Sequence, residues 1–428
     1  MRVVVIGSGL LGLATSYFLR RMSIDVVILD SAPGAARGTS FANGGLLTSG
    51  MAEPWNAPGV VHHLMKSIGR PDSPLLLQAR ALPAMIGWGL RFLGESRQHR
   101  YDINTLKNVR LALFSERALD ELQSDVDIPC HFARTGSLKL FRDSRALESG
   151  YRRATWVQQH GIPAQRLDAK QAVSMEPSLG DISERLAGAI YYPKDCSGDA
   201  RQFCEGLVDV LRDQGVEINF NTSVHGWKRR GERIEAAITT KGKFVADAYV
   251  VAAANATRSL TKPIGFDVPI RPAKGYSISV PSAALAAAPR LPVIDDELHA
   301  VVVPLGESLR VAGTAEFAGM DDTISAPRIE NLLHLLHDIY PRAQAGSSTL
   351  ALNPWAGLRP LSADGVPILG RTPFENLYLN TGHGHLGWTL AAGSGKAVAQ
   401  IVNGQEPELD MSDYSLSRFQ RINPASSN

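Results

Sequence analysis

The chain has 428 residues, enough for two or three domains with a sizeable core. Its 44% hydrophobic and 20% charged residues are ordinary for a globular enzyme, and a formal charge of +2 gives no reason to invoke nucleic acid as a partner. Three cysteines, Cys130, Cys196 and Cys204, show no C-x-x-C or metal-ligand spacing, so reduced thiols are expected rather than a disulfide framework.

The chain opens with an apolar strand at 3–6 that runs into Gly7-Ser8-Gly9-Leu10-Leu11-Gly12, then a helical pattern, then a second apolar strand at 26–29 ending on Asp30. This is a full βαβ dinucleotide fingerprint with its acidic residue in place. Gly7 allows the tight turn, Gly9 lets a pyrophosphate approach the backbone, and Gly12 lets helix and strand pack closely. The N-terminus of the helix offers N–H groups and a positive dipole end to phosphates, and Asp30 is placed for a ribose hydroxyl. A secretion leader is the competing reading of the same segment, and the glycine spacing argues against it. The unit begins at residue 3 and leaves no room for a removable leader, so a cytoplasmic location is expected.

A polar, glycine-rich stretch at 38–45 comes next, followed by helical patterns through residue 123. No run reaches the roughly eighteen apolar residues of a membrane span. Residues 75–93 come nearest but carry Gln78, Arg80 and Arg91; Leu82, Met85, Ile86, Leu90 and Leu93 form one helical stripe, with Trp88 and Phe92 off it. The stretch 62–101 holds Lys66, Arg70, Arg80, Arg91, Arg97 and Arg100 against Asp72 and Glu95. Such a segment either rests on an anionic membrane, here the inner membrane, or packs on its own protein. The second is the plainer expectation.

Further along, strands are expected at 136–141 and 188–192, and a helix capped by Asp199 and closed by Gly215. Strands at 216–220, 234–239 and 248–254 precede short alternating runs at 270–315 that suggest an antiparallel sheet. A helix at 329–339, a strand at 377–379, a glycine-rich turn and a helix at 388–402 close the chain. The apolar strands near Val250 and Leu377 look buried and parallel, returning to the opening unit. Two interleaved domains with a cleft between them follow from that order.

Four features together carry a resemblance: the opening fingerprint; Thr39-Ser40-Phe41-Ala42-Asn43-Gly44 with Pro54-Trp55 and Ala57-Pro58-Gly59; Lys274-Gly275-Tyr276-Ser277; and Trp355-Ala356-Gly357-Leu358-Arg359-Pro360 with Asp364-Gly365, Asn380-Thr381-Gly382-His383-Gly384 and Leu386-Gly387-Trp388-Thr389. The chain resembles the flavin-dependent D-amino acid oxidase superfamily, and within it the bacterial D-amino acid dehydrogenases. It departs from them in Asp30, where glutamate is commoner, in Gly45 after Asn43-Gly44, and in His385, where a smaller residue is usual.

The resemblance implies an α/β fold in which an FAD-binding Rossmann-like domain (1–90, 198–262 and 352–415) is interleaved with a β-rich α+β substrate domain (91–197 and 263–351), with 416–428 as a tail. It implies removal of hydride from the α-carbon of a D-amino acid to flavin N5, giving a 2-oxo acid and ammonia, with electrons passed to a quinone or another acceptor. A glycine-, sarcosine-, proline- or hydroxyproline-type amine oxidase or dehydrogenase, and an electron-relay subunit of a larger complex, are the alternatives.

Arg359 is the expected carboxylate clamp, since a guanidinium grips a carboxylate through two parallel bonds. Tyr276 and His385 are expected to face substrate. The flavin contacts implied are the fingerprint residues with Asp30 and Ser31; Thr39, Ser40, Asn43, Gly44, Gly45 and Leu46; Val224, Ala253 and Gly357; and Gly384, His385, Leu386, Gly387, Trp388 and Thr389, where a helix end points at the ring's pyrimidine edge. His383 and His385 form an H-x-H pair with no third ligand nearby, so no metal is expected.

Overall fold

The computed structural model describes residues 1–60, 62, 75–285, 287–344 and 352–419. Six strands form one sheet in the spatial order Ile368–Arg371, Leu377–Thr381, Ala248–Val251, Arg2–Ile6, Asp25–Leu29 and Glu217–Asn219. Every neighbouring pair is parallel except the first. Both faces are covered, which is why these strands read as continuous apolar runs. Val3 and Val5 pack with Leu13, Tyr17, Leu207 and Ala397, while Val4 and Ile6 pack with Ile234, Ala237, Tyr249 and Val251.

Helices Leu10–Arg21, Gln98–Asp125, Ala200–Asp213 and Ala391–Val402 contribute to the first face. A small antiparallel sheet, Val224–Arg230, Arg233–Thr239 and Gly242–Phe244, contributes to the second. Asp199 caps its helix by accepting the N–H groups of Arg201 and Gln202, and Gly215 leaves it at φ +81°. The last helix approaches two others closely. A Cβ at Gly395 would stand 2.7 Å from the carbonyl carbon of Ala14, and one at Gly393 would stand 2.8 Å from the Ser115 backbone.

The second sheet has nine strands. Eight follow the order Asn353–Ser362, Ile270–Pro281, Ser308–Phe317, Ala300–Leu305, Val293–Asp295, Ser137–Phe141, Gly188–Tyr192 and Gln165–Leu167, and Leu75–Leu77 pairs with Ser308–Phe317. Its outer face packs on helix Ala326–Ile339 through Tyr276, Ile278, Val311, Leu332 and Leu336. Its inner face looks across a cavity at the carboxyl ends of the parallel strands.

Three stretches part from the expected division. Leu75–Leu77 and Asn353–Ser362, assigned with the nucleotide unit, run in the nine-stranded sheet. Helix Gln98–Asp125, assigned with the substrate unit, buries Val109, Leu111, Ala112 and Phe114 in the core beside the nucleotide sheet. Strand pairing and helix docking are non-local, so composition along the chain does not reveal them.

The amphipathic stretch also differs from its reading. Helix Leu82–Gly94 buries Met85, Trp88 and Phe92 and turns Leu82, Ile86 and Leu90 to solvent at 45, 63 and 69% exposure. The two aromatic side chains carry more area to bury than the leucines they displace. Lys66, Arg70 and Asp72 lie outside the described residues. Among the described residues no helix is long and apolar enough to cross a membrane.

Candidate active site

A cavity of ≈ 1190 Å³ extends from the opening fingerprint to the nine-stranded sheet. At one end its walls are backbone. Gly7 sits at φ +111°, and a Cβ there would stand 2.5 Å from the Ala252 carbonyl oxygen. A Cβ at Gly12 would stand 1.9 Å from the Gly7 oxygen, so only glycine lets helix and strand cross there. Gly9 caps the helix with no side-chain acceptor, and Leu10 N reaches only Ser40 Oγ, at 3.5 Å. Its first N–H groups are therefore available to an anion.

Asp30 ends its strand on the cavity wall. One carboxylate oxygen accepts both the Ser8 N–H and the Ser8 hydroxyl at 2.6 Å, and the other accepts Ala32 N–H at 2.8 Å. The carboxylate is thus oriented before any ligand arrives.

The loop around Thr39–Leu46 is tied from several sides. Thr39 Oγ1 donates to the Leu358 carbonyl at 2.9 Å, Ser277 Oγ to the Ala42 carbonyl at 2.6 Å, and Arg310 Nη1 to the Asn43 carbonyl at 2.8 Å. Gly45 turns at φ +73° with its N–H on Asn43 Oδ1. Asn255 Nδ2 also donates to the Leu358 carbonyl, at 2.8 Å, fixing the strand that carries Arg359.

That strand, Asn353–Ser362, pairs Gly357 with Gly275 and Arg359 with Ala273. The Arg359 side chain lies across Gly275, where a Cβ would meet Nη1 at 1.9 Å. Its guanidinium stands over the Trp55 ring at 5.4 Å, and among the described residues Nη1 has no hydrogen-bond partner and the group makes no ion pair. Burial pushes its pKa down to about 10. A half-buried cation held only by an aromatic face is costly unless an anion completes it.

His385 stacks on the same Trp55 ring, with centroids 5.4 Å apart. Burial first, and the Arg359 cation second, push its pKa down to about 3 against a hydrogen bond that the ring donates to the Met51 backbone. The ring is open to the cavity, so that push is felt in full only when a ligand displaces the water there. His383 is enclosed, its Nε2 on Ser394 Oγ at 2.8 Å and its Nδ1 unpartnered, and burial pushes it to about 3. Trp388 Nε1 and Thr314 Oγ1 also line the cavity, buried and unpartnered.

Of the residues singled out in the sequence, most line this cavity: Gly7, Gly9, Leu10, Leu11, Asp30, Ser31, Thr39, Ser40, Asn43, Gly44, Leu46, Val224, Ala253, Gly357, Arg359 and the turn Gly384, His385, Leu386, Gly387, Trp388, Thr389. Gly12 and Gly45 stand behind the wall. Tyr276 is a correction. It is 1% exposed, its hydroxyl donates to Glu316 Oε2 at 2.6 Å, and it packs in the outer core beneath helix Ala326–Ile339. Side chains alternate across a strand, and Gly275 faces the cavity, so Tyr276 points the other way.

Sequence reading assigned no role to Gly275, Asn255, Arg310 or Thr314. Gly275 was visible as a glycine inside a strand pattern, which signals close approach of another group. The other three carried no local signal.

A model of the family described as FAD dependent oxidoreductase (DAO) matches residues 2–401. The chain is 40% identical over 420 residues to the D-amino acid dehydrogenase of Paramagnetospirillum magneticum, covering 98% of this chain and 99% of the relative. It is 35% identical over 419 residues to the D-amino acid dehydrogenase of Vibrio atlanticus, covering 98% and 100%. Among solved structures it is similar to glycine oxidase from Geobacillus kaustophilus, with TM-score 0.76 and 23% identity over 97% and 99% of the two chains. L-proline dehydrogenase from P. horikoshii gives TM-score 0.77 and 18% identity over 98% of each. At these identities the solved structures speak to fold alone.

Proposed function

From the premise that the chain belongs to the DAO family of FAD-dependent oxidoreductases, we propose that it oxidises D-amino acids to 2-oxo acids and ammonia. The α-carbon gives up a hydride and the nitrogen a proton; the resulting imino acid takes up water and releases ammonia. FAD, when bound, supplies the acceptor for that hydride. The cavity suits such a cofactor: one end is shaped by glycines whose Cβ atoms would strike backbone, and buried polar atoms along the wall lack protein partners. The open N–H groups after Gly9 would hold the pyrophosphate, Asp30 the ribose, and the turn at 382–389 the ring.

The observation that carries the reading is Arg359. Its guanidinium on the cavity wall, with Nη1 unpartnered among the described residues, is the protein's half of a carboxylate clamp. An electron-relay subunit has no use for one. The clamp fixes the acid group; His385 and Trp55, stacked beside it, narrow the space left for a side chain. Anaerobic addition of a D-amino acid panel to the FAD-loaded protein, with L-enantiomers as controls, should bleach the flavin band only with D-forms. Bleaching by L-forms or glycine derivatives alone would move the reading to the amine-oxidase alternative.

For the electrons we propose a quinone or another lipid-side carrier. Support comes from helix Leu82–Gly94, whose inner face brings Phe92 to the cavity wall while Leu82, Ile86 and Leu90 face outward. Flotation with anionic vesicles should be weakened by Ile86→Glu; equal flotation of both proteins would contradict peripheral contact.

A further inference from the structure

Thr314 is a β-branched residue held at φ +53°, a backbone conformation that such side chains avoid. The cause is a bulge. Along Ile270–Pro281 the pairing with Ser308–Phe317 steps from Gly275↔Ala315 to Tyr276↔Gly313, and Thr314 has no partner across the ladder. The bulge re-aims its side chain onto the cavity wall, where Oγ1 is buried without a hydrogen-bond partner in a residue 7% exposed. Strain of this kind, combined with an orphaned hydroxyl on a residue that lines a ligand cavity, clusters at functional sites.

The position matters as much as the strain. Gly275, over which the Arg359 guanidinium lies, is paired directly with Ala315, the residue after Thr314. Strand Ile270–Pro281 lies between the strands that carry Arg359 and Thr314, and the guanidinium lies over it at Gly275. A cationic and a neutral group, each with an unpartnered atom among the described residues, therefore share one cavity wall. An α-amino acid gripped by both spans roughly 7–8 Å from nitrogen to oxygen when each contact has ordinary hydrogen-bond length, which lies between one and two interstrand spacings of about 4.8 Å.

We propose that Thr314 Oγ1 is a specificity-determining contact for the substrate's α-amino group, with Arg359 on the carboxylate. This rests on the amino acid reading of the site. A single clamp on the carboxylate leaves the substrate free to rotate about the bond to its α-carbon, and then either hydrogen or side chain could face the acceptor. A second contact on the nitrogen removes that freedom and selects one enantiomer. A hydroxyl suits the task because it accepts an N–H without a negative charge that would hold the amine as ammonium.

The test uses the FAD-loaded full chain and two probes, D-alanine and propionate, which differ by the amino group. Thr314→Val keeps the branched shape, Thr314→Gly removes the strain, and Thr314→Ser keeps the hydroxyl. Val and Gly should raise KM for D-alanine about 10- to 100-fold and lower the D-to-L preference. The propionate Kd, read from the flavin spectrum, should stay within about twofold, and Ser should stay near wild type for both probes. Equal weakening of D-alanine and propionate, or no change in either, overturns the assignment to the amine while the wild type still turns over. A wild type that binds propionate but is reduced by no D-amino acid overturns the parent reading, and this one with it.

Discussion

The two ends of the cavity are built on different principles. At the nucleotide end the wall is main chain: Gly7 and Gly9 line it, Gly12 lets the helix close behind it, and Asp30 is already held by Ser8 and Ala32. At the proposed clamp end the wall is side chain: Arg359, Thr314 and His383 carry buried polar atoms with no partner among the described residues. The first end is finished before a ligand arrives, whereas the second is finished by the ligand. Affinity for cofactor should therefore depend on shape, and turnover on charge and hydrogen bonding, with each separable by mutation.

The largest effect should come from Gly12→Ala. A Cβ 1.9 Å from the Gly7 carbonyl cannot be relieved by a side-chain rotation, because both elements are core. The expected outcome is protein without FAD or without a stable fold, read from flavin absorbance and circular dichroism; normal flavin content would erase the contrast between the ends. Gly275→Ala should act oppositely. Its Cβ strikes the tip of a flexible arginine, so the fold and flavin content should persist while Arg359 is displaced. Misplacing the clamp by about 1 Å should lower kcat/KM by roughly 10- to 100-fold.

A smaller effect sharpens the comparison through pH. Burial holds His383 well below its ordinary value, at about 3. Below about pH 6.5 the unfolded chain binds a proton there that the folded protein does not, so stability falls as pH falls, by up to about 1.4 kcal/mol per pH unit for this group. The loss continues until pH nears 3. Urea unfolding between pH 7 and pH 5 should show that slope, and His383→Gln should reduce it by one proton's worth. An unchanged slope would mean that His383 titrates normally in the folded state.

How legible each end was follows from the same contrast. The βαβ fingerprint depends on spacing within thirty residues, and the sheet Ala248–Val251, Arg2–Ile6, Asp25–Leu29 assembles as the apolar runs suggest. Arg359 was visible as an arginine between Gly357 and Pro360, and it lines the cavity. Tyr276 was misplaced because strand parity decides which face a residue takes, and Gly275 claims the cavity side for the arginine. Thr314 carried no signal at all, since its exposure to the cavity depends on a bulge between strands distant in sequence. The stripe at 82–93 follows from helical spacing, whereas packing buries Trp88 and Phe92 and, of the stripe itself, Met85. Local chemistry is written locally; facing and partnership are settled by pairing with residues as far as 319 positions away.

The most direct test is anaerobic reduction of FAD-loaded Arg359→Ala by D-alanine, followed by stopped flow and normalised to bound flavin. Loss of the Arg359 guanidinium should leave flavin content near wild type and cut the second-order rate of reduction by about 2.2 to 3.7 orders of magnitude, the equivalent of about 3–5 kcal/mol. Reduction at a wild-type rate would show that something other than this guanidinium holds the substrate, and the account of the clamp end would be wrong.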